Sequence, residues 1–368
     1  MDIFDSNTNP FSILFKARNQ AIDAVFYDVH SLTLEEWLSL TPWVDKKGKI
    51  IVVSPSASPK PIRHYESSFE FLQSDDWKSI LAVAVAGVGS SVVGTAALAR
   101  NVADSCHGDV AGIVSGYGVS DVIQEGLGGW FFFGKIDQFR YEMENAVDDL
   151  SALLSTTFAK GSNVKKYLSK YFNSPLDAYV PSSPDVSALY DILLERYLHY
   201  DNTNLRLLVG HSKGNLLISS VLNHMRYSSQ SLRDEIDKGQ AFQNLAVVTL
   251  GAVVDIPKDM ILEKNQHQFL GTLDALGRMN SRSIGGDIAR RTPVPGVWHS
   301  LNSRLPGHMD VLDVLKNVTL PTLASESGVV DSVAVERRKR VAAALGAQAN
   351  PSLRSDRSVE RVPIGILQ

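Results

Sequence analysis

A single cysteine, Cys106, stands in a chain of 368 residues, so no internal disulfide can form. No Cys/His cluster has the spacing of a structural zinc site either, and a reducing compartment is the default expectation. Excess charge of one sign is also missing. Lys plus Arg total 36 and Asp plus Glu total 40, a formal net charge of -4, which gives no field to attract nucleic acid or an acidic surface. The first 20 residues contain Asp2 and Asp5 and lack a basic segment followed by an apolar run. No secretory signal is therefore expected, and the expected location is cytoplasmic, with export by another route left open. One charge-free run, Ile80 to Ala99, is about as long as a bilayer-spanning helix. Gly87, Gly89, Ser90, Ser91 and Gly94 interrupt it, and its two halves read as a buried strand, a turn and a helix instead.

What is present is the composition of a globular protein, 44% hydrophobic and 21% charged, with length enough for one large core. Apolar runs and helical periodicities alternate along it. Ala24 to Val29, Lys49 to Val53, Ile80 to Ala86 and Val110 to Ser115 read as strands, and Ser91 to Asp104 as a helix. From about residue 120 to 200 the pattern is mainly helical, in Ile136 to Leu154, Val164 to Phe172 and Val186 to Tyr200. Alternation then resumes: strand Leu205 to Val209, helix Gly214 to Tyr227, strands Leu245 to Val254 and Gln268 to Leu273, and a closing helix over Val311 to Leu315. The expected fold class is α/β, with a mostly parallel central sheet flanked by helices. Residues 1–320 would form that domain, with a helical insertion or lid at about 120–200. Residues 321–348, including the amphipathic stretch Ser332 to Leu345, would form a helical extension, and 349–368 a mobile tail.

The strongest chemical signal is Gly210-His211-Ser212-Lys213-Gly214, preceded by the apolar run Leu205 to Val209 and followed by the helical run Asn215 to Met225. A nucleophile elbow needs a strand that stops sharply, a residue in strained backbone angles at the tip, and a helix directly behind. Gly210 and Gly214 leave room for strand and helix to approach, so that Ser212 can project its hydroxyl. Chance occurrence of Gly-x-Ser-x-Gly in a chain with 26 glycines is the competing explanation, and the strand and helix flanks count against it.

A serine hydroxyl needs a histidine base, and the base needs a carboxylate to orient it. In the order nucleophile, acid, histidine, the candidates after Ser212 are His224, His267, His299 and His308. His224 falls on the helix behind the elbow and His267 begins a strand, which leaves two. His308 is preferred, because Pro306-Gly307-His308 leads straight into the closing helix; His299, in Trp298-His299-Ser300, is the alternative. Asp274, ending the strand Gln268 to Leu273, is the preferred acid, and Asp255, ending the strand before it, the alternative. Either aspartate could instead cap a helix.

The oxyanion would be held by the backbone N–H of Lys213 and by Val88 or Gly89 in the glycine-rich loop Gly87 to Ser91. Gly87-x-Gly89 also resembles the start of a dinucleotide fingerprint, but the third glycine is missing at Val92 and Gly94 comes too late. The aromatic stretch Trp130 to Phe133 suits either a lid or core packing, and Arg337 to Arg340 a solvated helix face.

On these motifs, residues from about Lys78 to Leu315 resemble lipase-like α/β hydrolases, especially the class 3 lipase group and bacterial relatives carrying Gly-His-Ser-Lys-Gly. Val247 to Ala252 looks like the strand that follows the elbow there. The resemblance implies an α/β-hydrolase fold and Ser212 as nucleophile, with Asp274 and His308 carried over by order and setting. The implied activity is cleavage of a carboxylic ester, with an acyl or lipid-like group, through an acyl-enzyme. No metal or organic cofactor is called for, the partner would be a small-molecule or lipid ester, and membrane contact is optional. The rival expectations are a non-catalytic binding scaffold on the same fold and a membrane-associated phospholipase.

Overall fold

Along the chain the elements are a 3-10 turn at Val29–Ser31, then α1 (Leu34–Leu40), β1 (Ile50–Val53), β2 (Arg63–Tyr65), α2 (Ser68–Gln73), α3 (Asp76–Ser79), β3 (Ala82–Val85), α4 (Val92–Cys106) and β4 (Val110–Ile113). They continue with α5 (Pro184–Leu198), β5 (Leu207–His211), α6 (Lys213–Ser228), β6 (Ala246–Leu250), β7 (Gln266–Gly271), α7 (Ala275–Ser283), β8 (Thr292–Val294) and α8 (Val311–Lys316). This is a computed structural model that describes residues 23–40, 48–87, 90–115, 184–198, 203–228, 242, 244–283 and 291–321. The expected helices Ile136 to Leu154 and Val164 to Phe172, the Trp130 to Phe133 segment, most of the 120–200 insertion, and the extension and tail after 321 lie outside the described residues.

Eight strands form one sheet in the order β2-β1-β4-β3-β5-β6-β7-β8. From β4 to β8 every pairing is parallel, while β1 runs antiparallel to both β4 and β2. The expected parallel sheet thus carries an antiparallel edge. β1, β3, β4, β5 and β6 are buried at every position, the pattern of strands covered on both faces. Successive side chains alternate between the faces. Ile51, Val53, Ala82, Ala84, Leu207, Val209, Ala246 and Val248 join one core with Ala96, Ala97 and Ala103 of α4 and Val311, Val314 and Leu315 of α8. The small alanines let α4 lie close to β1, β3 and β4. Helices α5 and α6 pack on each other, with α5 against β4 and α6 against β3 and β5.

Local chemistry sets the helix ends. Ser91 caps α4, its side chain accepting from the N–H groups of Val93 and Gly94, and His107 closes the helix in the left-handed region. Pro184 opens α5, where its missing N–H costs nothing. Asp310 caps α8 through the N–H groups of Leu312 and Asp313.

Ile80 to Ala99 contains β3 and the first part of α4 rather than one helix. No helix among the described residues is long and apolar enough to cross a membrane. Ala24 to Val29 is not the strand its apolar run suggests. Residues 23–26 are helical and lead into the 3-10 turn, with the N–H of Tyr27 bonded to the Asp23 carbonyl at 2.7 Å. A short apolar run fits a buried helical turn as well as a strand. The expected strand Leu245 to Val254 ends at Leu250, because Gly251 turns the chain at φ +71°.

Candidate active site

The chain passes from β3 to β4 on one side and later resumes with β5 on the other side of β3. That reversal is a topological switch point, the position at which open α/β sheets place their sites. Ser212 stands there, one residue past β5 and immediately before α6.

Its φ is +53°, a left-handed conformation that costs a side-chain-bearing residue about 1–2 kcal/mol. Two backbone bonds hold it. The Ser212 N–H donates to the Leu250 carbonyl at 3.0 Å, and the Ser212 carbonyl accepts from the Asn215 N–H at 3.1 Å. The Asn215 side chain donates to the same Leu250 carbonyl at 2.9 Å. At about 1 kcal/mol net each, these bonds suffice to offset the strain. Gly214 is required for the approach behind the turn: a Cβ there would lie 2.0 Å from the Val85 carbonyl oxygen.

Asp274 follows β7 and His299 lies in the loop between β8 and α8. The two are paired. His299 Nδ1 donates to the Asp274 carboxylate, 2.8 Å from Oδ2 and 3.0 Å from Oδ1. Both residues are buried, at 6% and 1% exposure, so the bond forms away from competing water. Asp274 Oδ1 also accepts from the Gly277 N–H at 2.6 Å, capping the first turn of α7. The carboxylate therefore orients the imidazole and ends a helix at once. With Nδ1 donating, a neutral His299 presents a lone pair at Nε2, which has no hydrogen-bond partner among the described residues. Gly251, the residue after β6, makes room for the ring: a Cβ there would be 2.9 Å from His299 Cε1.

The structure brings His299, the alternative, rather than the preferred His308 to Asp274. His308 is turned into its own loop, with Nδ1 held 2.8 Å from the Leu305 carbonyl. The loop is closed by bonds from the Trp298 N–H to the Gly307 carbonyl and from the Met309 N–H to the Ser300 carbonyl, so only its first arm, which carries His299, meets Asp274. Asp255 is exposed, and His267 stays on β7 with its proton affinity lowered by burial.

Ser212 and His299 are connected through their neighbours. His211, adjacent to Ser212, has its ring 4.9 Å from that of His299. Gly251, which touches His299, follows Leu250, which binds the Ser212 N–H. On the other side a Cβ on Gly87, just past β3, would be 3.1 Å from Ser212 Cβ. Ser212 Oγ is not bonded to His299 Nε2 in this arrangement.

Val88 and Gly89 lie outside the described residues. Gly87 is described, and its N–H is bound by the Tyr27 hydroxyl at 2.6 Å. Lys213 is the first residue of α6. A dinucleotide site on the same loop is opposed by Asp23. Its buried carboxylate accepts from the Ser91 N–H at 3.1 and 3.3 Å and fills the α4 N-terminus where a phosphate would sit.

The segment Asp23 to Tyr27 is the part that sequence reasoning missed. Phe26 packs edge-on against His299 with ring centroids 5.8 Å apart, and Tyr27 edge-on against His211 at 5.3 Å. The carbonyls of Ala24, Val25 and Phe26 accept from Asn302 Nδ2, Ser300 Oγ and the Leu301 N–H. No spacing rule links residue 27 to residue 211. Among the described residues no group of three or more His, Cys, Asp or Glu is arranged to hold a metal ion.

Comparisons of the chain with protein-family models, with curated proteins and with solved structures found no match.

Proposed function

We propose that this chain is a serine hydrolase of the α/β-hydrolase fold that cleaves carboxylic esters, with Ser212 as nucleophile, His299 as base and Asp274 as its orienting acid. The observation that carries the reading is the left-handed Ser212 at the strand-to-helix tip, at the same sheet edge as a buried Asp274–His299 pair whose Nε2 is unclaimed among the described residues. The order Ser, Asp, His along the chain is that of α/β-hydrolases. The wider likeness to class 3 lipases rests on the elbow sequence and on the run Val247 to Ala252.

In the proposed reaction Ser212 Oγ attacks the ester carbonyl while His299 Nε2 takes its proton. The tetrahedral oxyanion is assigned to the N-terminal end of α6, which opens at Lys213, and to the loop after β3. One backbone donor in such a hole contributes about 3 kcal/mol. As the C–O bond breaks, His299 returns the proton to the departing alkoxide and the acyl group stays on Ser212. Water then attacks the acyl-enzyme, gives its proton to His299, and releases the acid with the serine restored. Apolar Leu273, 66% exposed beside Asp274, suits an acyl chain at the rim.

A panel of p-nitrophenyl esters of increasing acyl length tests this. Wild-type protein is expected to turn over at least one member, and Ser212→Ala to reduce kcat by about 10⁴-fold or more while keeping its melting temperature. Equal rates in wild type and Ser212→Ala would refute the assignment.

A further inference from the structure

Two buried imidazoles, not one, meet at the elbow. The planes of His211 and His299 are inclined by 36° at a centroid separation of 4.9 Å; His299 Nε2 has no hydrogen-bond partner among the described residues, and the His211 ring also meets the His299 backbone. Only His299 has a carboxylate partner. The other ring is held at Nδ1, 3.0 Å from the Tyr27 hydroxyl.

The polarity of that contact is set by the other bonds of the Tyr27 hydroxyl. The Gly87 N–H can only donate, so the Tyr27 oxygen accepts it at 2.6 Å. Ser90 also bonds this hydroxyl, and the phenolic proton is directed at His211 Nδ1, 3.0 Å away, as acceptor. A ring that accepts at Nδ1 and is neutral carries its proton on Nε2.

We propose that Tyr27 is a positioning residue: its hydroxyl locks His211 as the neutral Nε2–H tautomer and, through that ring, keeps His299 in place beside Ser212. The role rests on the hydrolase reading, but the tautomer does not. Burial raises the Tyr27 phenol above its ordinary value, with the nearby Asp23 acting in the same direction, so the hydroxyl keeps its proton. Burial, and next the neighbouring His299, hold His211 well below the usual imidazole range. The groups facing the pair are Tyr27 and His299 around His211, and Asp274, His211 and the edge of Phe26 around His299. A charged His211 would oppose the imidazolium that His299 must form, whereas a neutral one leaves that charge to Asp274. The same segment holds the loop that carries His299, since the Phe26 carbonyl binds the Leu301 N–H at 2.9 Å and the Val25 carbonyl binds Ser300 Oγ at 2.7 Å.

Histidine ¹⁵N spectra of the full chain between about pH 5 and 8 test the tautomer directly, with His211→Asn assigning the His211 signals. In wild type, His211 is expected to show an unprotonated, hydrogen-bonded Nδ1 and a protonated Nε2, both unchanged across the range. Tyr27→Phe is expected to give a mixture of His211 tautomers and to lower kcat on the best ester about tenfold, with KM within about twofold. Nδ1–H on His211, or titration within the range, in wild-type protein overturns the proposal whether or not the variant folds. An unchanged kcat in Tyr27→Phe, with only the melting temperature lowered, overturns the positioning role. The expected tautomer in a protein whose Ser212 is inert counts against the hydrolase reading and leaves the lock standing.

Discussion

At the scale of single residues, the Leu250 carbonyl is the pivot of the site, because it accepts both the Ser212 N–H and the Asn215 side chain and so ties the strained turn to the neighbouring strand. The two loop histidines differ in similar detail, and on the proposed reading that difference assigns the base. His299 is bonded to a buried carboxylate, whereas His308 is bonded to the carbonyl of Leu305. His299→Ala is therefore expected to reduce esterase kcat by about 10³-fold or more, and His308→Ala to leave it within about twofold. Parallel kinetics on the two variants settle the choice, and the reverse ranking would return the base to His308. Residue type and order alone brought both histidines into view. They could not separate them, because the deciding fact is which arm of a closed loop faces Asp274.

Among the elements, the strand β5, the turn and the helix α6 were legible because an apolar run, a glycine pair and a 3.6-residue periodicity agree over a short span. β2 and β8 were not. Arg63-His64-Tyr65 has no apolar alternation, and Thr292-Pro293-Val294 contains a proline; both are sheet edges held by pairing with β1 and β7 rather than by their own pattern. The contact of α6 with β3 allows no side chain at position 214. Gly214→Ala is expected to lower stability by about 2–4 kcal/mol, since the obstructing atom is the backbone oxygen of Val85 at 2.0 Å from the new Cβ. Denaturant unfolding of this variant measures it, and a change below about 0.5 kcal/mol would show that the elbow is looser than described.

For the molecule as a whole, the reversal of strand order between β3 and β5 brings Gly87, Ser212, Gly251 and Asp274 to one edge of the sheet. The α/β class was legible from alternation, but the antiparallel start was not, since strand direction at an edge leaves no periodic trace. Acid sensitivity belongs to this scale. Burial lowers the proton affinity of His64, His211 and His267, while in the unfolded chain each titrates near about 6.5. Protons then bind the unfolded state first. Stability is full above about pH 7 and declines as pH falls through about 6.5 toward the lower folded values. Melting temperature is expected to drop between about pH 7.5 and 5.5, less steeply in His211→Asn, and a flat profile would contradict the burial of these rings.

The central claim is that Ser212 is a nucleophile activated by the Asp274–His299 pair, and covalent capture with a fluorophosphonate followed by intact-mass and peptide analysis tests it most directly. The expected result is one adduct per folded chain, on Ser212, slowed at least about a hundredfold in His299→Ala. A folded chain that stays unlabelled, or an adduct at another residue, would contradict it.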